Sequence, residues 1–216
     1  VKKVKVGNSK PHIYDLENFS LTYAYSEVYR RNINIENNLL QNWKAALGYT
    51  YALNPTSVTP FSKWKAKSKW ANPIKDFNFY YMPSSIGFRT DYDRQFSQNK
   101  QRNITDNQPI PYTYSKIFTV TRNYDIKFDL TKSLKLDFSA ANRGVVDELP
   151  DGSIELDSNK KLVRRNIFPG RTIGYHHTAN LNYAIPINKL PYLESVNASY
   201  KYTVDYDWKA GAMVNE

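Results

Sequence analysis

Bulky side chains recur at every second position through most of this chain. That period belongs to an extended backbone, whose successive side chains point to opposite sides. Phe19, Leu21, Tyr23 and Tyr25 share one phase, and Ser20, Thr22, Ala24 and Ser26 share the other. From Asn42 to Leu53 the pattern repeats, with Trp43, Ala45, Leu47, Tyr49, Tyr51 and Leu53 opposing a small, polar set that includes Lys44, Ala46 and Gly48. A third run has Phe77, Phe79 and Tyr81 in one phase and Ile86, Phe88 and Tyr92 in the other, and the change at Pro83 predicts a bulge or break there. Phe118, Val120, Tyr124, Ile126, Phe128 and Leu130 lead into a turn at Thr131-Lys132-Ser133, from which Leu134, Leu136, Phe138 and Ala140 return. Two more runs, Tyr175 to Ile185 and Val196 to Trp208, complete about seven predicted strands, and no helix is expected. The fold class is therefore all-β and antiparallel, with residues 1–216 read as a single segment and no domain boundary inside it.

Period alone does not decide which face is covered, because a soluble sandwich turns its apolar face inward and a membrane barrel turns the same face to lipid. Three features select the barrel. Several runs last ~12 to 15 residues, whereas strands of soluble sheets usually span ~5 to 6 and a bilayer crossing needs ~9 to 11. Short connections (Thr131 to Ser133, Ile187 to Leu193) alternate with long polar ones (Gln95 to Pro111, Asp147 to Arg171), the pattern of tight periplasmic turns and larger external loops. Tyr, with 18 copies, outnumbers Phe with 10 and Trp with 4, which suits aromatic girdles at bilayer surfaces.

On this reading the lipid-facing or girdle residues are Phe19, Leu21, Tyr23, Tyr25, Trp43, Leu47, Tyr49, Phe128, Leu136, Leu181, Tyr183, Tyr200, Tyr202 and Trp208. The residues expected to face the lumen are Thr22, Lys44, Asn123, Asp125, Lys127, Asp129, Lys135, Asp137, Asn180, Asn182, Lys201 and Asp205. Seven strands fall below the ~8 of the smallest single-chain bacterial barrels. With no signal segment at its start and no aromatic ending in AGAMVNE, the chain is expected to be an internal segment of a much larger barrel.

The residues also bound the chemistry. No run approaches the ~20 consecutive apolar residues of a transmembrane helix, and the lack of Cys rules out thiolate ligands and thiol catalysis. His176 and His177 are strand neighbours that point to opposite faces, so they do not converge on one metal. The acidic run Asp147 to Asp157 matches no calcium-loop spacing, and neither phosphate-binding glycine loops nor a nucleophile elbow occur. No catalytic residue, metal site or cofactor is assigned, and the chain is not expected to be an enzyme. The net charge of +10 is scattered over termini and connections, so nucleic acid is not an expected partner. The one dense basic tract, FSKWKAKSKW, carries Lys63, Lys65, Lys67 and Lys69 with Trp64 and Trp70. Between a strand ending at Leu53 and one starting at Asp76, it reads as a connection anchored at the periplasmic membrane surface, tryptophans at the interface and lysines in water or headgroups.

Five ordered stretches, from YDLENFSLTYAYSEVYRRN and SVTPF through IKDFNFYYMPSSIGFRTDYDRQF and NYDIKFDLTKSLKLDFSAANRGVVDE to PGRTIGYHHTANLNYAIPINKLPYLESVNASYKYTVDYDW, cover Tyr14 to Trp208 almost continuously. Together they resemble the SprA/Sov family, the giant outer-membrane translocon proteins of the Bacteroidota type IX secretion system, also tied to gliding motility. The resemblance implies a location in the bacterial outer membrane as a multi-pass β-barrel. It also implies a protein-conducting channel through which folded substrate proteins leave by a lateral opening. Implied partners are the remainder of the same barrel, outer-membrane lipid, a PorV-type shuttle barrel, a periplasmic plug protein and the secreted substrates, with an inner-membrane motor supplying energy. Family members are roughly ten times longer than this chain, so their gate and plug contacts are not located here. Two other readings fit the alternation: another large barrel such as a TonB-dependent transporter, and a soluble aromatic-rich β-sandwich that binds glycans.

Overall fold

The computed structural model describes residues 12–62, 64, 72–104, 108–149, 157–168 and 170–211. Seven strands run in chain order: β1 (Phe19–Arg30), β2 (Ile35–Ala52), β3 (Ser85–Gln101), β4 (Thr113–Asp129), β5 (Leu134–Val145), β6 (Arg171–Ile185) and β7 (Ala198–Lys209). They form one sheet in which each strand pairs only with its neighbours in sequence, and every pairing is antiparallel. The all-β antiparallel class is thus present in its simplest topology, a meander. The sheet does not close: β1 and β7 each have one partner, leaving an open edge at either side.

Strand lengths of 12 to 18 residues exceed what the alternation alone delimits. β2 starts at Ile35 instead of Asn42, and β3 continues to Gln101 through residues that read as the start of a long loop. Both extensions mix polar and apolar residues without regular alternation, and they pair with one another, Asn38 with Asn99 and Gln41 with Phe96. Conversely, residues 76–84 are not strand. They touch the fold through an isolated Val58–Phe79 bridge, and β3 begins two residues after Pro83, which explains the phase change.

Two further expectations are corrected. The connection from β5 to β6, read as an extended loop, contains the ten-residue helix α2 (Asp157–Asn166), and a four-residue turn of helix, α1 (Asn72–Lys75), precedes β3. The expected contrast of short turns at one end and long loops at the other is also absent. The end with the Thr131 turn also carries the connections 53–84 and 186–197, and the opposite end carries 31–34, 102–112 and 146–170. The physical reason lies in the boundaries: β3 runs on through polar residues to Gln101, and residues 76–84 form an aromatic connection instead of a strand.

Burial is slight for a chain of this size. Phe118, Val120 and Val146 form a small buried cluster, with Tyr92 and Val163 packed against it, while β1 and β7 are exposed along almost their whole length. A sheet with an apolar face ordinarily buries it under a second layer. Among the described residues such cover comes mainly from α2 and the chain on either side of it, with Phe168 over Arg122 and the Ile13 carbonyl on the Tyr49 hydroxyl adding to it.

Candidate functional site: the two faces of the sheet

Paired residues of an antiparallel ladder share a face, so the register assigns every strand residue to one side. One lateral row runs Phe19, Tyr49, Phe88, Tyr124, Ala140, His177, Tyr206. All fourteen residues named for the apolar side fall on the face this row defines. Cross-strand aromatic contacts knit it: Phe19 to Tyr49 at 4.9 Å between ring centroids, Tyr25 to Trp43 at 5.5 Å, Phe88 to Tyr124 at 5.3 Å and His177 to Tyr206 at 5.3 Å. Such tilted and stacked pairs hold neighbouring strands together beyond simple area burial.

All twelve residues named for the polar side lie on the opposite face. Their charges compensate one another along and across strands. Lys44 meets Asp93 at 3.4 Å, Lys135 meets Asp129 at 3.7 Å, and Lys127 sits opposite Asp137. Thr178 donates to Asp205 at 2.6 Å and Thr203 to Asn180 at 2.8 Å. Arg89, Asp91, Asp93, Arg143 and Asp207 belong to this face as well, with Arg89 forked onto Asp91 at 2.7 to 3.0 Å. The alternation of Phe88 and Tyr92 with these residues carried the signal for β3, but the false start at Asp76 obscured it. Gly48 also lies on this side, and a methyl group there would come within 2.6 Å of the Ser20 hydroxyl. His176 and His177 do point to opposite faces, beside Asp207 and Tyr206 respectively, and among the described residues no three His, Asp or Glu side chains converge as metal ligands.

The segregation is cleanest toward the Thr131 turn and blurs at the other end. On the apolar face of successive strands, Tyr25 is followed by Glu27, Trp43 by Gln41, Tyr92 by Arg94, Tyr124 by Arg122 and Ala140 by Asn142. There the chain after β5 folds back over the sheet. Val146 continues the β4 ladder by donating to the Phe118 carbonyl at 2.9 Å. Arg94 forks onto Glu148 at 2.6 and 3.0 Å while lying over the Trp43 and Phe118 rings. Lys116 donates to the Leu149 carbonyl at 3.0 Å. Asn159 of α2, 1% exposed, accepts from the Leu149 N–H at 2.9 Å, and Val163 four residues on packs against the Phe118 cluster. Arg171 closes the segment by a two-pronged bond to Asp147, which holds that carboxyl below its ordinary range.

At the opposite end, the connection 53–84 folds across the β4–β5 turn. Tyr80 donates to the Leu130 carbonyl at 3.0 Å, the buried Asn78 accepts from the Lys132 N–H at 2.8 Å, and Lys189 binds Asp76 at 2.8 Å. The described part of the connection that contains the basic tract is therefore at the same end of the sheet as the Thr131 turn. Of its six named residues, Trp64 is described and is 51% exposed; Lys63, Lys65, Lys67, Lys69 and Trp70 lie outside the described residues.

No protein-family model matches the chain, and no curated protein matches it.

Proposed function

We propose that this chain forms part of the wall of a large outer-membrane β-barrel that conducts proteins, as its resemblance to the SprA/Sov family suggests, and that it performs no catalysis of its own. The observation that carries the reading is a layer of 12- to 18-residue strands with one aromatic face, covered only in part by the α2 segment, and one charge-compensated polar face. In water such an aromatic face would need a second layer; in a bilayer, lipid is that layer. The polar face then lines the lumen, where small hydrated side chains and paired charges give a passing protein neither an apolar patch nor a strong field of one sign to stick to. The remainder of the barrel continues from the two open edges, and the Thr131 turn with the basic tract lies on the periplasmic side. A shuttle barrel, a periplasmic plug and secreted cargo are its partners by the same resemblance.

Photo-crosslinking residues placed singly at Asn180 and Leu181 of the full-length protein test this in cells. Secreted cargo is expected to be captured from position 180 and lipid from position 181. Capture of a small nutrient complex or a plug domain of the same chain from position 180 would indicate a transporter barrel. A full-length protein that stays monodisperse in plain buffer, with neither capture, would mean a soluble β protein.

A further inference from the structure

Resting on the membrane-wall reading, we propose that α2 is a headgroup-binding element: Lys160, Lys161, Arg164 and Arg165 hold phosphate-bearing lipid headgroups of the leaflet at that end of the strands. The helix seats Asn159 and Val163 on the aromatic side of the sheet, and residues four apart share one side of a helix. Lys161 and Arg165, also four apart, point the opposite way, with Lys160 and Arg164 on the flanks, and all four are exposed. If the aromatic face meets lipid, the helix lies outside the wall and its cations point into the surrounding membrane.

Height places them at the headgroups. Val163 packs against the cluster of Phe118, Val120 and Val146; Val120 is eight residues along β4 from Phe128, which is about 27 Å of strand and about 20 Å of barrel height at the usual tilt, close to the ~25 Å apolar band of such barrels. The strand residues agree, since polar Arg94, Arg122 and Asn142 enter the aromatic face at the same end of the sheet.

Charge supplies the need for a partner. Elsewhere in the cover, Arg94 has Glu148 and Arg171 has Asp147. None of the four helix cations makes an ion pair or side-chain hydrogen bond with another described residue. Lys160 with Arg164 and Lys161 with Arg165 are like charges at a spacing that destabilises a helix unless an anion intervenes. Cations near an anionic lipid surface gain substantially from it, with a reach limited by salt.

The test uses the full-length protein in phosphatidylcholine bicelles doped with phosphatidylglycerol. The unfolding midpoint of the wild type is expected to rise with the phosphatidylglycerol fraction and to lose that rise in high salt. The variant K160Q/K161Q/R164Q/R165Q should lose roughly half of the rise or more. The control K44Q/K135Q/K201Q/K209Q, on the polar face, should keep it. An unchanged rise in the helix variant, or an equal loss in the control, overturns the proposal while leaving the membrane wall standing. Failure of the wild type to float with lipid vesicles would instead remove the membrane wall and this proposal together.

Discussion

Leu181 and Asn180 are consecutive in β6, yet one sits between Leu136 and Tyr202 and the other between Asp137 and Thr203. If the aromatic face meets lipid, Leu181→Arg, level with Phe128 near one edge of the apolar band, is expected to cost about 1 kcal/mol and Asn180→Arg less; Leu47→Arg and Ala46→Arg should differ in the same sense. Unfolding in lipid measures the contrast, and equal costs would remove the distinction between the faces. Arg122 argues in the other direction. It is 6% exposed, its Nε and Nη2 have no partner among the described residues, and the Phe168 ring lies 5.3 Å from its guanidinium carbon. A buried cation with unmet donors is costly. Arg122→Met should therefore stabilise the protein, by about 1 to 3 kcal/mol, and Phe168→Ala should matter less in that variant than in the wild type, since the ring's attraction to the cation is gone. A destabilised Arg122→Met would mean that the guanidinium has a strong partner in the working protein.

At the scale of elements, α2 depends on a narrow seat. Its sequence, DSNKKLVRRN, offers only Leu162 and Val163 as apolar residues, which is why no amphipathic stripe marked it as a helix. One valine and one buried asparagine suffice because Glu148, Leu149 and Asp147 fix the approach of the chain. Val163→Asp should unseat it and expose the amides around Phe118 and Val120 to hydrogen exchange, with little change on β7; unchanged protection at Phe118 would show that the seat lies elsewhere. The Asp147–Arg171 tie adds a pH dependence. The folded pKa of Asp147 is lowered, so its contribution is complete above the unfolded value of about 3.9 and is lost as pH falls through the lower folded value. Both side chains are substantially exposed, at 40% and 47%, so the loss should stay within the roughly 0.2 to 1 kcal/mol of surface pairs. Exchange at the start of β6 should accelerate only at such low pH in the wild type and at every pH in Asp147→Asn.

The same elements show what periodicity can and cannot reveal. The faces of β1, β4, β5, β6 and β7 are legible because their two sides differ in polarity at each step. The start of β2 and the tail of β3 are not, since Leu39 beside Leu40 and Phe96 amid Gln and Ser give no regular contrast between sides; only their mutual pairing, Asn38 with Asn99, identifies them. Residues 76–84 carry aromatic alternation with no pairing beyond the Val58–Phe79 bridge, because Phe77 packs between Phe61 and Phe79 instead.

For the whole molecule, two unpaired edges and one uncovered face set the terms of stability. An exposed edge is a template for further pairing, and β7 offers one whose aromatic side carries Tyr200, Tyr202, Tyr206 and Trp208, all exposed. Residues 1–216 expressed alone should therefore associate in plain buffer, and detergent should shield the aromatic face without pairing the open edges. Soluble aggregates in buffer and edge-paired oligomers in detergent are the expected products, resolved by light scattering and by cysteine crosslinks between β1 and β7 of different copies. If the sheet is part of the larger barrel wall proposed above, those crosslinks should vanish in the full-length protein, where each edge would have a neighbour. A monodisperse, cooperatively folded monomer of residues 1–216 in buffer would show that the sheet covers its own face and edges, and would count against the membrane wall itself.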